Sequence, residues 1–459
     1  MRLSHSTAAV SATFDDPNLV SHAGLVPVMR LAQNAGLPEL TDELVKLGTT
    51  AGANPAAKVS SIVAGMVAGA DSIDDLDVVR HGALPVLFRG IRAPSTLGTF
   101  LRDFTLGHVA QLENMANQVL ANLRTLTPLL PGITTLAFLD IDSKTTEVFG
   151  PGKDGAAVGH TGIRGLDFLA ATLSSPISAP VITGTRLRGG NANTRRAATS
   201  FVRKNLTTAR QNCGATGTLL VRMDSGYYSG DILATILEEG ALFSVTAPQN
   251  PSVRAAITTI PEDAWQKITY GKSVYDNDTQ QWVHTAEIAE TTYTAFTNTT
   301  RNGQYITARL LVRRVLQPTG DTTAALFPTY RHQAVFTNSA FDMVTAEAQH
   351  RDRAGAIEQV FADLNDSALA HFPSGRFAAN AAWLTLAALT HNLLRATGCL
   401  TSRAHATART ATLRRHLVTI AARIARSARV IVIHLPRNWP WADSYTGLFT
   451  STHHPPATT

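Results

Sequence analysis

The stretch LLVRMDSGYYSG (219–230) indicates the fold class of the chain, because a run of strand-forming residues ends there in a carboxylate. Its apolar start is typical of a strand covered on both faces, and Asp224 follows immediately before a glycine-containing turn. In sheets of α/β proteins, binding sites form at the carboxyl ends of the strands. The stretch therefore predicts an α/β sheet with Asp224 at a candidate site on its edge.

The segments on either side support this interpretation. Three strands in succession are predicted before it, at 134–142, 165–175 and 179–187, followed by a helix over 193–211. The quoted strand is followed by a helix over 229–239 and a strand over 241–248. A meander followed by alternating helices and strands predicts a mixed sheet with helices on both faces.

Further acidic residues are predicted to converge on this edge. Asp140 and Asp142 end the first strand, two residues apart and therefore on one face. Glu358 lies on a predicted helix over 343–365 that returns to the sheet, next to its apolar side. Three converging carboxylates suit two divalent cations, which polarise a phosphodiester and activate a water or hydroxyl nucleophile. This pattern predicts phosphoryl transfer on nucleic acid.

Charge and composition point to the same class of partner. The chain has 459 residues and a formal charge of +6, and the segment between Asp366 and Asp443 holds ten arginines without one acidic residue. Nucleic acid is therefore the expected partner, with a solvated helix pair as the alternative. The two cysteines are too few for a disulfide framework, residues 1–16 lack the apolar core of a signal peptide, and polar residues interrupt the most apolar helix, 377–394. We expect a cytoplasmic protein with no membrane span.

Five regions are predicted along the chain. Residues 1–130 are helical, and short helices joined near RGIRAPS (89–95) predict a helix-turn-helix-like unit that presents Arg92, Thr96, Thr99 and Arg102 to DNA, with ordinary helix packing equally open. An all-β insertion at 249–338 divides the catalytic core into segments at 131–248 and 339–400. Residues 401–459 form a basic C-terminal region with a helix over about 403–429, a short strand and a tail.

The whole pattern resembles the DDE transposases of bacterial insertion sequences, and most closely the insertion sequence 1380 family. The resemblance rests on blocks such as FLDIDSKTTEVFG (138–150), LLVRMDSGYYSGDIL (219–233), IEQVFADL (357–364) and LAHFPSGRFAANAAWLTLAALTHNLLR (369–395), and it spans nearly the whole chain. It implies a ribonuclease H-like catalytic domain that binds terminal inverted repeats, cuts the ends and joins them to target DNA. It also implies a homodimer on paired ends.

The resemblance assigns roles to individual residues. Asp142, Asp224 and Glu358 match the three catalytic, metal-binding acids, with Asp140 as a fallback for the first, and the expected cofactor is two Mg²⁺ ions, with Mn²⁺ as a substitute. Arginines near the site and in the basic region are expected to bind DNA: Arg351, Arg353, Arg414, Arg415, Arg423 and Arg426.

One position departs from the pattern. Related transposases usually carry a lysine seven residues after the glutamate, and here that residue is Asn365. Two alternatives therefore stay open at this point. The chain could be a weakened or inactive copy that only binds DNA, or a structure-directed nuclease of the same fold that does not join DNA.

Overall fold

The structure is a computed structural model, and it describes residues 4, 9–159, 162–193, 195, 197–276, 281–297, 305–316, 330–428 and 430–454. Over these ranges the chain forms one large mixed sheet, one small antiparallel sheet, and helices that pack against both. None of the helices in these ranges combines the length and the apolar character that crossing a membrane requires.

The N-terminal region is helical. Its helices pack their apolar sides into the same hydrophobic cluster as the central sheet, so the region is not a separate body with its own core. The elements are β1 (Leu19–Val20), α1 (Leu25–Asn34), α2 (Leu37–Leu44), α3 (Pro55–Ala68), α4 (Leu84–Leu87), α5 (Pro94–Arg102) and α6 (Leu106–Leu126).

The next part of the chain builds the half of the sheet that carries the acids. The predicted strands are all present, each shifted by a few residues, and the predicted helix over 193–211 begins later, at Ala198. The elements are β2 (Leu136–Glu147), β3 (Ala157–Val158), β4 (Arg164–Ser174), β5 (Val181–Gly189), α7 (Ala198–Gln211), β6 (Thr218–Met223), α8 (Gly230–Glu238) and β7 (Leu242–Ala247).

The predicted insertion differs from expectation in two ways. It opens with a helix, so it is not all-β, because Asn250 caps that helix by accepting a hydrogen bond from the backbone N–H of Val253. Its strands also do not form a sheet of their own. The elements are α9 (Pro251–Thr258), β8 (Gln266–Asp276), β9 (Gln281–Ala295), β10 (Ile306–Leu316) and β11 (Tyr330–Thr337).

These strands extend the central sheet. β11 pairs antiparallel with β7, which gives a ten-stranded sheet in the order β3-β4-β2-β6-β7-β11-β10-β9-β8, with β5 on the free side of β4. Within the described ranges, parallel pairing is confined to β2 with β6 and β6 with β7, next to the predicted Asp142 and Asp224. The sheet is therefore mixed, as the sequence predicts.

Two long helices return to this sheet. α10 (Met343–Asn365) is capped by Asp342, whose carboxylate accepts the backbone N–H of Thr345 at 3.0 Å. α11 (Phe377–Cys399) is buried along almost its whole length and packs against α3, α6 and β5. A helix that is buried on all sides is a central core helix, and α11 is where the N-terminal helices meet the sheet.

The C-terminal region corrects part of the prediction. The helix expected over 403–429 breaks up, and residues 422–427 form a strand instead, because β1 and a second C-terminal strand supply backbone partners on either side. The expected tail is helical up to His453, and its last residues, 455–459, lie outside the described ranges. The elements are α12 (Arg403–Thr407), α13 (Thr410–Leu413), β12 (Ala422–Ser427), β13 (Val430–His434) and α14 (Ala442–His453).

Candidate active site

The register of two parallel strands brings the first two predicted acids together. β2 and β6 pair so that Asp140 stands opposite Arg222 and Ile141 opposite Met223. The next step along both strands places Asp142 beside Asp224. Because side chains alternate between the faces of a sheet, both aspartates share the face that carries Asp140 and Arg222. The two carboxylates therefore come from neighbouring strands of one rigid sheet.

The turn after β6 fixes the second carboxylate. Asp224 follows the last residue of the strand and caps a single helical turn over Ser225–Tyr227, where its Oδ1 accepts the backbone N–H of Gly226 at 2.9 Å. Asp142 is held similarly, because its Oδ1 accepts the backbone N–H of Ser143 at 2.8 Å. Each aspartate thus has one oxygen tied to the backbone, which limits the rotation of its carboxylate.

Burial and mutual repulsion perturb Asp224. Burial, and then the negative charge of Asp142, raise the pKa of Asp224 above its ordinary value, although Arg353 and two backbone N–H groups oppose the shift. Two closely spaced carboxylates in a partly desolvated place favour a proton or a cation between them. This electrostatic pattern is typical of a functional site rather than of a surface loop.

Helix α10 delivers an arginine to the pair. Arg353 Nη1 donates to Asp142 Oδ2 at 3.0 Å, and the Arg353 side chain is only 12% exposed. Burial by itself lowers the pKa of this guanidinium, but the charges of Asp142, Asp224 and Asp140 outweigh it and raise the pKa. Arg353 is therefore the cation that faces all three aspartates.

A buried histidine fixes α10 over the sheet. The two ring nitrogens of His350 lie 2.8 Å from Ser244 Oγ and 3.0 Å from Thr246 Oγ1, both on β7. Burial lowers the pKa of His350 to about 3, so the ring is neutral, and it donates a hydrogen bond to one hydroxyl and accepts one from the other. Arg353 is one turn further along α10, and this anchor sets its height above the aspartates.

Asp140 has a different role from Asp142. Both of its oxygens are occupied by Arg222, whose Nε and Nη2 donate to them at 2.6 and 2.7 Å, and both side chains are almost fully buried. Arg222 also donates to the backbone carbonyl of Gln349 on α10 and lies over the ring of Phe138. Asp140 is thus committed to a buried ion pair that joins β2, β6 and α10, which leaves Asp142 as the better candidate for the first acid.

A tyrosine hydroxyl completes the surroundings of the pair. Tyr227 is fully buried, and its hydroxyl lies beside Asp142 and the side chain of Ser143. Burial, and then the charge of Asp142, raise the pKa of this phenol. Two carboxylates beside a buried hydroxyl fit a site that takes up a hydrated divalent cation, since carboxylate oxygens and water are its preferred ligands.

Comparison with known protein families identifies the family of the whole chain. The family model described as Transposase DDE domain group 1 matches residues 4–455. The chain belongs to this family of DDE transposases. No curated protein matched the chain. Membership in the family implies a metal-dependent enzyme that acts on DNA, and it covers the N-terminal helices, the sheet and the C-terminal region together.

The third acid expected of a DDE transposase lies elsewhere on α10. Glu358 is exposed, and among the described residues no group of three or more His, Cys, Asp or Glu side chains comes close enough to hold a metal. Glu358 follows Arg353 by five positions, which is about 140° around a helix, so the rotation that points Arg353 at Asp142 turns Glu358 away. The structure brings two of the three predicted acids together, and it does not bring the third to them.

The predicted DNA-binding residues fall into two groups. Some are exposed and available to a nucleic acid: Thr96, Thr99 and Arg102 on α5, and Arg415 and Arg426 in the C-terminal region. Others already make contacts within the transposase fold. Arg92 donates its backbone N–H to Ser61 Oγ, Arg351 pairs with Glu347, and Arg423 pairs with Asp16.

One of these predictions needs correction. Arg414 is partly buried, and its Nε donates to the carbonyl of Val67 in the last turn of α3, at 3.1 Å. Burial lowers the pKa of this guanidinium. Its cation thus caps a helix end, where carbonyls lack partners, and does not face outward to DNA.

Sequence reasoning missed three residues of the site: Arg222, Tyr227 and His350. All three stand within motifs that were quoted or segments that were assigned, but none was given a role. A detectable signal existed for Arg222, because an arginine inside an otherwise apolar strand has to find a buried acidic partner.

Proposed function

We propose that this DDE transposase binds the terminal inverted repeats of an insertion sequence, cleaves the element's ends and joins them to target DNA. The observation that carries the proposal is that Asp142 on β2 and Asp224, directly after the parallel neighbour β6, lie close enough for the charge of one to raise the pKa of the other. A ribonuclease H-like catalytic domain and membership in the insertion sequence 1380 family are parts of the same proposal, supported by the sequence blocks around these two residues.

The chemistry assigns a task to each residue of the pair's surroundings. Asp142 and Asp224 would hold Mg²⁺, or Mn²⁺ in its place, through the carboxylate oxygens that the backbone leaves free. Such an ion polarises the phosphodiester and favours the ionised form of an attacking water or 3′-hydroxyl. The Asp140–Arg222 ion pair keeps β2, β6 and α10 in register, so the two carboxylates hold their spacing.

Glu358 remains our proposed third acid, and it would serve the second of two ions. It lies on the same helix as Arg353, five positions later and about 140° around the helix axis. To reach the two aspartates, α10 would have to rotate and release the present contacts of His350 and Arg353. The test compares Glu358→Gln with Asp352→Asn, an exposed acid on the same helix. We expect the glutamate variant to lose cleavage as Asp224→Asn does, and the control to keep it. Full cleavage by Glu358→Gln would remove it from the site.

DNA binding is proposed for residues on two surfaces. Thr96 and Arg102 on α5 would contact one part of the element end, and Arg415 and Arg426 another. Arg351, Arg353 and Arg423 each pair with a carboxylate of the protein, so any role for their side chains on DNA requires that partner to be exchanged. The bond from Arg92 to Ser61 involves only its backbone N–H. We also propose a homodimer on paired ends and a cytoplasmic location, both of which follow from the transposase reading.

The proposed function is tested by strand transfer in solution. A fragment carrying both ends of the element around a marker is incubated with the protein, Mg²⁺ and a target plasmid, and the junctions are sequenced. We expect the element's terminal bases joined to the target with a short duplication, and no product from Asp224→Asn. Cuts without joined products would make the protein a nuclease of the same fold. Binding of the ends without cuts would make it a DNA-binding protein.

A further inference from the structure

Arg353 stands where a cation and a protein side chain compete for one oxygen. Asp142 Oδ1 accepts the backbone N–H of Ser143, so Oδ2 is the oxygen left for other partners. Oδ2 accepts a hydrogen bond from Arg353 Nη1 at 3.0 Å. The same oxygen is the one that Asp142 would offer to a divalent ion. A guanidinium and a divalent cation on one carboxylate oxygen repel each other strongly in a partly buried place.

Arg353 also differs from the other buried arginines in how it is held. Arg222 has two bonds to Asp140 and one to the carbonyl of Gln349, and Arg188 contacts Asp167 and the carbonyl of Asn193. The structure gives Arg353 a single hydrogen-bond acceptor within the residues it describes, and that acceptor is Asp142. An arginine with one charge-assisted bond has fewer hydrogen bonds to give up than Arg222 or Arg188 when it changes to another acceptor.

A DNA phosphate is the partner that could replace Asp142. Guanidinium groups bind phosphate in the same forked geometry as carboxylate, and the proposed function brings a phosphodiester to this pair of aspartates. Once a DNA phosphate accepts the hydrogen bond from Arg353, the guanidinium no longer repels a metal ion at Asp142 and instead neutralises the phosphate. DNA binding then increases the affinity for the metal ion, and metal binding must increase the affinity for DNA by the same factor.

We propose that Arg353 couples DNA binding to metal binding: paired with Asp142 it weakens the metal site, and a DNA phosphate that draws it away strengthens that site. The inference rests on the proposed function, because it needs DNA at Asp142 and Asp224. It makes Arg353 a positioning residue, which acts on the metal through Asp142. Its consequence for the transposase is that the metal site becomes strong only when DNA is in place.

The experiment measures Mn²⁺ affinity by the electron paramagnetic resonance signal of the free ion. The full-length protein is titrated with and without a precut duplex that stops at the element's boundary and has no flanking bond to cut. The variants are Arg353→Met, which keeps the apolar stem, and Arg353→Lys, which keeps the charge. Arg203→Met serves as the matched control, since Arg203 pairs with Glu238 and Glu239 at the surface, away from the site.

Without DNA, we expect Arg353→Met to bind Mn²⁺ about tenfold more tightly than wild type, within the usual range of coupling between sites. DNA should tighten Mn²⁺ binding by wild type and by Arg203→Met, and should add little for Arg353→Met. Arg353→Lys should stay close to wild type without DNA. Equal Mn²⁺ affinity of Arg353→Met and wild type, or an undiminished gain from DNA in Arg353→Met, would overturn the inference.

Two further arms keep this inference separate from the proposed function. Asp224→Asn should lose Mn²⁺ binding whatever Arg353 does, and failure of that result would count against the proposed site itself. Thermal unfolding of each variant in EDTA shows whether Arg353→Met is folded. If it is not, the comparison of wild type with and without DNA still decides, since a DNA-independent Mn²⁺ affinity contradicts the coupling.

Discussion

Breaking the buried ion pair between Asp140 and Arg222 should destabilise the protein strongly. Both charges are almost fully buried, and Arg222→Met removes two charge-assisted hydrogen bonds of 2.6 and 2.7 Å while leaving Asp140 without its partner. Hydrogen bonds to charged groups contribute about 1.5–3 kcal/mol each, and loss of one partner of a buried pair costs about 3–5 kcal/mol. We expect a loss of unfolding free energy of that size.

The double variant Asp140→Leu/Arg222→Met separates the pair's charge from its packing. With both charges gone, neither is left uncompensated, and methionine still covers the ring of Phe138 that the guanidinium now contacts. We expect most of the stability to return, with a remaining loss of about 1 kcal/mol for the bond to the carbonyl of Gln349. The coupling between the two changes should therefore exceed about 2 kcal/mol.

The assay is urea unfolding at neutral pH, followed by circular dichroism and by tryptophan fluorescence. Coincident transitions are required before free energies are compared, since a chain of this size can unfold in steps. Arg203→Met, which removes a surface arginine paired with Glu238 and Glu239, is the control and should change stability little. A loss below about 1 kcal/mol for Arg222→Met, or a double variant as unstable as the single one, would refute the reasoning.

Three further results are expected. Because burial and Asp142 raise the pKa of Asp224, the charge of Asp224 destabilises the fold as pH rises above the ordinary pKa of an aspartate. Asp224→Asn should therefore unfold at a higher temperature than wild type in EDTA at neutral pH, and this difference should shrink towards pH 4. The exposed Asp231→Asn should show no such increase, and a difference that does not depend on pH would contradict this cause. Burial lowers the pKa of His350 to about 3, so the neutral ring stabilises the fold above the ordinary histidine pKa. As pH falls from about 6.5, this stabilisation is lost by up to roughly 1.4 kcal/mol per pH unit. His350→Asn should reduce the decrease of unfolding temperature with falling pH, and an unchanged decrease would contradict the role of His350 as a buried anchor. Arg415→Gln should weaken binding to element ends and reduce the slope of log K against log salt concentration by about 0.9 in a filter-binding series. Arg414→Gln should leave that slope unchanged and lower the stability of the protein. The reverse pattern would mean that Arg414 binds DNA and Arg415 supports the fold.

The half of the sheet around the acids could be predicted because its signals are local. Apart from the two-residue β3, the strands there have six to twelve residues and are followed or separated by amphipathic helices, and α10 has the bounds expected from its periodicity. Asp224 could be placed at a strand end from sequence alone. Its position beside Asp142 depends on β2 and β6 being neighbours, which the chain order permits but does not require.

What could not be predicted depends on partners distant in sequence. Asp140 and Asp142 share a face and are indistinguishable by spacing. Their partners separate them, because Arg222 binds both oxygens of Asp140, whereas Asp142 has a single bond from Arg353. The C-terminal arginines look like one basic surface in sequence, yet Arg414 caps α3 and Arg409 pairs with Asp363 and Asp366. Likewise, β12 (422–427) has a local partner in β13, but its other partner, β1 at residues 422 and 423, lies some 400 positions earlier in the chain.

The position of Glu358 is the least predictable part of the site. Its place in the sequence block matches the expected acid, but the contacts of His350 and Arg353 set the rotation of α10, and that rotation leaves Glu358 exposed. A motif specifies the order of residues along a helix. The direction in which each side chain points depends on tertiary contacts of the helix, which no local pattern encodes.

The most direct test of the central claim, that Asp142 and Asp224 form the metal-binding centre of a transposase, is cleavage of a labelled duplex that spans one element end and its flank. Wild type, Asp142→Asn and Asp224→Asn are compared in Mg²⁺ and in EDTA, with Asp231→Asn as the surface control. We expect cuts at the element boundary from wild type and Asp231→Asn in Mg²⁺ alone, and none from the other two variants. Cleavage that persists in Asp142→Asn or Asp224→Asn, or in EDTA, would contradict the account.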